Sequence, residues 1–437
     1  ACVWPYLYGA ICAACGYLGY MDVAVLWCAP TRTGGCRWRV IMSRTFLLLL
    51  FSNAIASVGT GVAMIAVPWL LVEGDGGAVL LGTLATTVNF GLFIVMPLVG
   101  PVIDAWPRKA LMVLIRLVFG LCLAGIMLLG HLKNGPADNF LLILYYIFVA
   151  VFYAVNIPLR SAFVKELFDE NSFARINAIL EIENQVAAVV TGLAAILIVE
   201  KFGLGSLALL NIICLLLAAG SLLSIRQAGA AAQLDQRPMR ASLVDGLRLL
   251  VARPTLLTLM AAASLPYVVV ILYTVIHPVA LASFTGATGQ TYAVVELLFA
   301  VGAIAGGYVV ATIALSGRTI EQSLVTMIWM FALIALLQLI FQSVAGFIVL
   351  AGAFGFWNAV IRIMRQTLLM TSFQPDEVGR ISSFLQSWIM FMRSCGLAIV
   401  SVALAGGPHW GVLVAALFAC AAPALIVAVK FRLSHFS

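Results

Sequence analysis

A few ionisable side chains lie inside long apolar stretches of this chain, and they are the residues best placed to do chemistry. Glu181, Glu183, Glu296 and Arg393 are the clearest cases. A charge near the centre of a bilayer costs about 2.5–3.5 kcal/mol, so residues of this kind usually serve a function. Counted from the polar end of its stretch, Glu183 is about 15 Å deep and Arg393 about 18 Å deep, at about 1.5 Å per helical residue.

Proton uptake and anion binding are the chemistry that these residues predict. Removal from water favours the protonated form of a carboxylate, so Glu183 is predicted to take up and release a proton. Arg393 is predicted to hold an anionic group or to neutralise that carboxylate. For Glu296, proton or substrate chemistry and a structural ion pair are equally favoured. The alternative is a static ion pair that locks two parts of the protein together. Glu181 points to a different side of its helix and is expected to face loop arginines.

Further candidates are a histidine, several tyrosines and an asparagine. His277, just before Pro278, has the titration range of a proton carrier, although a partly hydrated structural histidine near the outer surface is the favoured alternative. Arg116, about two turns into its stretch, is expected to reach the surface in a structural role. The sequence also predicts aromatic and polar helix faces that suit a ring-bearing amphipathic ligand or serve only in helix packing. The residues are Tyr145, Tyr146, Tyr153, Asn156, Tyr267 and Tyr273.

Neither a metal nor another cofactor is predicted from the sequence. Five of the nine cysteines lie in the first 41 residues, and Cys12 and Cys15 form a lone CxxC without a second ligand pair. The chain has no GxxxxGK[ST] phosphate loop, so it is not expected to be an ATP-driven pump. No cluster of catalytic side chains occurs at a membrane face, and an enzyme is therefore not expected.

Composition identifies the elements that must position these residues. Hydrophobic residues make up 64% of the 437 and charged residues 9%, which excludes an ordinary soluble enzyme. The apolar runs are continuous rather than alternating, so they predict helices and exclude a β-barrel. The predicted fold is therefore an all-α polytopic membrane protein of twelve transmembrane helices. The net charge of +7 is expected to mark the cytoplasmic side of the membrane rather than a nucleic-acid partner.

The predicted helices fall into six before and six after a polar interval. They are at about 46–72, 78–103, 109–131, 139–164, 173–200, 205–225, 255–283, 290–316, 321–342, 345–370, 381–405 and 409–431. This predicts an appended segment at 1–41, a bundle at 42–225, a cytoplasmic linker at 226–254 and a second bundle at 255–437. Residues 242–251 of the linker could form an amphipathic helix. The appended segment is an extra helix, an interfacial segment or a leader.

Positive charge predicts the orientation of the chain. If the end near residue 43 is cytoplasmic, Lys133 and Lys201 are the only Lys or Arg outside the spans that fall on the opposite side. A bias of this strength places both the start of the first bundle and the carboxyl terminus in the cytoplasm.

An internal repeat relates the two predicted bundles. Four residues after the fourth helix recur 205 positions later, after the tenth: Arg160, Phe168, Arg175 and Ile176 match Arg365, Phe373, Arg380 and Ile381. Duplicated six-helix bundles are typical of secondary transporters, which bind a small molecule between the repeats near the midplane.

The loop after the second helix carries a recognisable motif. Gly100, Asp104, Arg108 and Lys109 match the GxLaDrxGRR/K signature between helices two and three of the major facilitator superfamily, whereas Ala105 and Pro107 depart from it. The chain therefore resembles that superfamily. The resemblance implies a conformational latch, formed by the motif residues with Arg160, Arg175, Arg365 and Arg380. The alternative is a solvated loop that only orients the protein.

Three further segments resemble one branch of this superfamily. Residues 156–185, 242–260 and 375–388 are similar to the exporters related to the enterobactin exporter and the macrolide efflux proteins. This implies proton-coupled antiport that exports a small amphipathic compound, such as a siderophore or a drug, from a bacterial inner membrane, by a monomer. The GxxxGPxxGG element of proton-coupled drug exporters is largely replaced by QVAAVVTGLAAIL. The alternatives are uptake of a metabolite and a non-transporting membrane protein.

Overall fold

The computed structural model describes most of the chain. The described residues are 26–30, 36–40, 44–72, 77–132, 139–225, 248, 252–284, 289–312, 317–435. Within them, two short strands pair antiparallel, β1 (Leu26–Pro30) with β2 (Cys36–Val40). Residues 26–30 and 36–40 of the predicted appended segment are thus strand, and the rest of that segment lies outside the described residues. The predicted amphipathic helix at 242–251 lies outside the described residues except for Arg248.

Helices account for nearly all the rest. They are α1 (Arg44–Val72), α2 (Gly77–Ala105), α3 (Arg108–Leu132), α4 (Asn139–Leu167), α5 (Phe173–Leu223), α6 (Pro254–Ala262), α7 (Leu265–Ala282), α8 (Gly289–Thr312), α9 (Gly317–Ile340), α10 (Val344–Ser372), α11 (Val378–Leu404) and α12 (Pro408–His435). Within the described residues, 11 helical stretches are long and apolar enough to cross a membrane. The predicted polytopic all-α fold is confirmed.

The helix α5 contains two of the predicted spans. Every residue from Phe173 to Leu223 has helical backbone, so the non-helical gap predicted near residue 200 does not occur. Yet a Cβ added at Gly59 of α1 would lie 3.0 Å from Asn211, and one at Gly61 would lie 2.8 Å from Thr191. A straight helix would place Thr191 and Asn211 about 30 Å apart. The chain therefore reverses direction between them, and α5 has a first limb (173–191) and a second limb (205–223).

The seventh predicted span is divided into two helices. α6 ends at Ala262, and α7 begins at Leu265 after a turn at Ala263 and Ser264. Pro266 explains the break, because its nitrogen carries no hydrogen for the carbonyl of Ala262 and its ring crowds that carbonyl. Ser264, at this break, is completely buried.

The outer surface of the bundle is apolar, as a lipid-facing surface must be. Leu121, Val349 and Val402 are each more than 70% exposed. Arg116, by contrast, is only 1% exposed. The prediction that it reaches the surface was wrong. Its guanidinium donates to the Ser52 hydroxyl and, over 3.0 Å, to the Ala218 carbonyl. Arg116 of α3 thus binds α1 and the second limb of α5, which stabilises the packing of these helices.

Two helix pairs make the most extensive contacts between the amino-terminal set (α1–α5) and the carboxyl-terminal set (α6–α12). α2 packs along α11, and α8 packs along α5. Glycines allow the close approach in both pairs: a Cβ added at Gly100 would lie 2.6 Å from Arg380 Cα, and one at Gly307 would lie 2.7 Å from Ile182. The two sets therefore meet along two seams, between which an interior space remains.

We expect Gly100→Ala to lower the melting temperature of the purified protein. Its Cβ would meet backbone atoms of Arg380, which cannot turn away as a side chain can. Overpacking of this kind costs about 1–3 kcal/mol. The matched control is Gly91→Ala on the same helix, where an added Cβ would meet nothing within 4 Å. Equal melting temperatures for the two variants would show that the α2–α11 seam is loosely packed.

Candidate functional site

A cavity of about 400 Å³ lies between the two helix sets. Its wall is formed by α1, α4 and the first limb of α5 on one side and by α7, α10 and α11 on the other. Pockets for small organic molecules usually range from about 300 to 1,000 Å³. The cavity is thus large enough for a small ligand and is contacted by both halves of the chain.

An ion pair crosses this cavity. Arg362 of α10 lies 3.2 Å from the Glu181 carboxylate of α5. Gln185 donates a 2.8 Å hydrogen bond to the same carboxylate, and the Arg362 guanidinium lies 4.8 Å from the centre of the Tyr267 ring. The expectation that Glu181 faces loop arginines was wrong, because this side of α5 faces the interior and meets α10. The pair connects the two helix sets through the cavity.

Glu183 lies behind the wall of this cavity rather than in it. Residues two apart on a helix point to different sides, and Glu183 is not among the cavity-lining residues that include Glu181 and Asn184. Both carboxylate oxygens of Glu183 are buried without a hydrogen-bond partner within standard limits. The nearby polar groups are the Ser57 hydroxyl of α1 and the Arg160 guanidinium of α4. Glu183 is thus a buried carboxylate near one guanidinium group and one hydroxyl.

Arg160 and Arg365 line the cavity from opposite sides. The two are equivalent in the internal repeat, on α4 and α10, and each lies about two turns before the end of its helix. Arg160 donates to the Asn184 side chain over 3.5 Å, and Arg365 to the Ser264 hydroxyl over 2.8 Å. Their predicted place in the latch was wrong, because two helical turns separate them from the helix ends where the latch residues meet.

Other predicted residues complete the cavity wall. Arg393 of α11 and Asn156 of α4 both line it, and the Nε atom of Arg393 is buried without an acceptor. Tyr153 of α4 lines it as well and interacts with the Tyr267 hydroxyl across the two sets. The wall therefore combines cations, amides and aromatic rings.

His277, Tyr273 and Glu296 form a separate cluster that does not line the cavity. The His277 Nδ1 atom lies 3.7 Å from the Glu296 carboxylate, and the His277 and Tyr273 ring centres are 4.8 Å apart. His277 is only 6% exposed, so the expectation of a partly hydrated histidine was wrong. The Phe347 ring centre lies 5.4 Å from the His277 ring centre, and the Phe354 ring centre lies 5.0 Å from the Tyr273 ring centre. The structure does not bring this cluster together with Glu183 or Arg393.

At one end of the bundle, Asp104 closes the seam between the helix sets. It accepts hydrogen bonds from the Gly379 and Arg380 backbone amides at 3.1 and 3.0 Å and from Arg380 Nε at 3.1 Å. The amides belong to the first turn of α11, where the helix dipole favours a negative charge. Asp104 is 5% exposed, and a Cβ at Gly379 would collide with its carboxylate. We call this end of the bundle the Asp104 end.

The remaining predicted latch residues differ in their placement. Arg108 lies 3.8 Å from the Asp104 carboxylate and 3.4 Å from that of Glu166, and it also donates to the Pro375 carbonyl. Lys109 instead donates to the carbonyls of Leu223 and Ile225 within the amino-terminal set. Arg175 is exposed. Arg108 and Arg380 therefore take part in the closing contact between the sets, and Lys109 does not cross it.

Several residues that the sequence did not indicate also join the two helix sets at the Asp104 end. Lys165 of α4 donates to the carbonyls of Met370 and Phe373, and Asn177 donates to the Thr367 hydroxyl over 3.2 Å. The last carbonyls of a helix lack intrahelical partners, so a lysine near the end of α10 satisfies them. Arg362 was also missed as a cavity residue. Its spacing of three from Arg365 places both on one helix face and could have revealed it.

The sequence profile of the Major Facilitator Superfamily matches residues 49–320. A stretch of 96 residues is 27% identical to the multidrug efflux pump Tap of Mycobacterium tuberculosis (strain ATCC 25618 / H37Rv) and covers 22% of this chain. The matched stretch spans only 23% of the length of that pump.

Solved structures share the fold of the chain. A bacterial homologue of the iron transporter ferroportin, in its outward-facing state, superposes with a TM-score of 0.67 at 16% identity, over 89% of this chain and 100% of the other. The fucose:proton symporter of Escherichia coli superposes with a TM-score of 0.66 at 15% identity, over 89% of this chain and 98% of the other. Identities this low indicate the common fold alone.

Proposed function

The chain belongs to the major facilitator superfamily, and from this membership we propose that it is a secondary transporter that works by alternating access. Members of this superfamily are transporters and not enzymes. The observation that carries the proposal is the cavity between the helix sets, crossed by the Glu181–Arg362 pair and closed at one end by Asp104. A site shared by two bundles that can rock against each other is what alternating access requires.

The proposed reaction is proton-coupled export of a small amphipathic compound, such as a siderophore or a drug-like molecule. Similarity to the efflux pump Tap supports export. Glu183 supports proton coupling, because its buried carboxylate has no hydrogen-bond partner. The branch of exporters related to the enterobactin exporter and the macrolide efflux proteins remains part of this proposal. Uptake of a metabolite is the second candidate, since a fucose:proton symporter has the same fold.

The proposed location is a bacterial inner membrane, with the Asp104 end in the cytoplasm. The distribution of Lys and Arg along the sequence supports this orientation, and it places the carboxyl terminus on the same side. In this orientation, the closed Asp104 end corresponds to an outward-facing state. The proposed partners are protons, a small-molecule substrate and the lipid bilayer, without a cofactor or nucleic acid, and the proposed unit is a monomer of two six-helix bundles (42–225 and 255–437) joined by the linker 226–254.

Metabolite analysis of cells that lack the protein tests this proposal and its direction. We expect at least one amphipathic compound to accumulate inside these cells and to fall in the medium, compared with the parent strain. Restoring the wild-type gene should reverse both changes. The opposite pattern, depletion inside the cells, would favour uptake. If no compound changed in either direction under conditions in which the protein is produced, the proposed transport function would be contradicted.

A further inference from the structure

The wall of the central cavity carries an excess of positive charge. Four arginines line it, Arg160, Arg362, Arg365 and Arg393, whereas Glu181 is the only carboxylate among the described lining residues. Three positive charges are therefore in excess at the cavity surface. Glu183, which lies behind the wall near Arg160, compensates at most one of them.

Within the described residues, two of the four arginines form no ion pair. Arg362 pairs with Glu181 at 3.2 Å, and Arg160 has Glu183 nearby. In the described part of the chain Arg365 donates to the neutral Ser264 hydroxyl, and its Nε atom is buried without an acceptor. The Glu181 carboxylate near it is already paired with Arg362. Arg393 makes no hydrogen bond within the described part of the chain, and its Nε atom is buried likewise. These two guanidinium groups face the cavity from α10 and α11.

Unpaired guanidinium groups inside a membrane protein are costly, since a buried charge needs a partner to offset its loss of hydration. The guanidinium fork matches the two oxygens of a carboxylate, sulfonate or phosphate group, which binds it with paired hydrogen bonds. An anion that enters the cavity would therefore gain most from Arg365 and Arg393. A cationic molecule would instead be repelled by the same wall.

We infer that the ligand of this cavity is an amphipathic anion, whose acidic group binds between Arg365 and Arg393 and whose ring system packs against Tyr153 and Tyr267. This inference rests on the proposed transport function and names the class of its substrate. Glu181 is already occupied by Arg362 and Gln185, so it does not offer a free site for a cation. The excess of arginine thus favours an anionic substrate, and the tyrosine rings favour a substrate with an aromatic part.

A matched pair of dyes tests the inference. Fluorescein is anionic, and tetramethylrhodamine methyl ester has a similar ring system but is cationic. Binding is measured by ultrafiltration with the full-length protein in nanodiscs of phosphatidylcholine. We expect wild-type protein to prefer fluorescein, and Arg365→Gln and Arg393→Gln each to weaken fluorescein binding about ten- to hundredfold, the value of a charge-assisted hydrogen bond. Arg44→Gln on the exposed start of α1 is the matched control and should bind as wild type does.

A second measurement separates a ligand site from a structural role. Because neither arginine forms an ion pair with a described residue, Arg393→Gln and Arg365→Gln should melt at the wild-type temperature or above it. A lower melting temperature for both variants, with unchanged fluorescein binding, would overturn the inference. Equal binding of the two dyes, or binding of neither, would overturn it as well. Displacement of fluorescein by added phosphatidylglycerol would identify a lipid site instead and would overturn it.

Transport of the same dyes in proteoliposomes distinguishes a failure of this inference from a failure of the proposed transport function. Dye content is measured after filtration and lysis at one fixed pH. Arginine-dependent fluorescein binding without any movement of the dye across the membrane would support the inference and contradict transport. Movement of the cationic dye without fluorescein binding would support transport and overturn the inference.

Discussion

Glu183→Gln is expected to abolish transport driven by a proton gradient while leaving ligand binding measurable. Glutamine has the size of glutamic acid but cannot release a proton, so the variant is fixed in the neutral form. In the structure the Glu183 oxygens are buried, lack hydrogen-bond partners and lie outside the cavity wall. Ligand contacts should therefore survive the change. The measurement is movement of whichever dye the wild-type protein transports, in proteoliposomes with and without a pH difference.

Two variants serve as controls for this experiment. Glu321→Gln removes an exposed carboxylate from α9 and should transport as wild type does. Glu181→Gln leaves Arg362 without its 3.2 Å partner, so it should impair binding as well as gradient-driven movement. A Glu183→Gln protein that still responds fully to the pH difference would show that the proton is carried elsewhere. The His277–Glu296 cluster would then be the next candidate, because it joins two titratable groups at 3.7 Å.

Much of the fold could be predicted from composition and spacing. Continuous apolar runs predict helices because backbone groups in lipid must be satisfied within the helix itself. The predicted bounds agree with the structure within a few residues for α1–α4 and α8–α11. The differences occur where a local feature overrides the pattern, as at Pro266, which divides the seventh span into α6 and α7.

The chemistry of the cavity could be predicted only in part. Depth along a helix is readable from the sequence, and Arg393, which it places near the midplane, lines the cavity. The direction in which a side chain points requires knowledge of which helices are neighbours. Glu181 was thus assigned to loop arginines, although its partner is Arg362 on α10. The excess of positive charge in the cavity could not be predicted from the sequence either. Its four arginines come from three helices that meet only in the folded protein.

Asp104→Asn is expected to shift the resting protein toward the state in which the Asp104 end is open, and to slow transport without unfolding. The Asp104 carboxylate binds two amides and the guanidinium of α11, contacts that exist only while the two helix sets are together at this end. Asparagine removes the charge and one of the two equivalent acceptor oxygens. A loss of about 1–2 kcal/mol in one of two states changes their ratio about five- to thirtyfold.

Accessibility of a cysteine at Val164 measures this shift. Val164 lines the cavity near the end of α4 and is 0% exposed in the closed structure. In a background without the native cysteines, Val164→Cys should react with a membrane-impermeant maleimide about five- to thirtyfold faster when Asp104→Asn is also present. The reagent is applied from the side of the Asp104 end. Asp169→Asn, an exposed loop residue at the same end, is the matched control and should leave the rate unchanged.

The contacts around Asp104 determine what a negative result would mean. Lys165 and Arg108 also reach across the sets, to the carbonyls of Met370, Phe373 and Pro375. Those bonds are made to backbone carbonyls at and just after the end of α10, and Lys165 makes its two bonds without contacting Asp104. If Asp104→Asn left both labelling and transport unchanged, the closed state would be held by these cations, and Asp104 would only orient the chain. A Lys165→Met variant that alone increased labelling would then locate the latch between α4 and α10 rather than between α2 and α11.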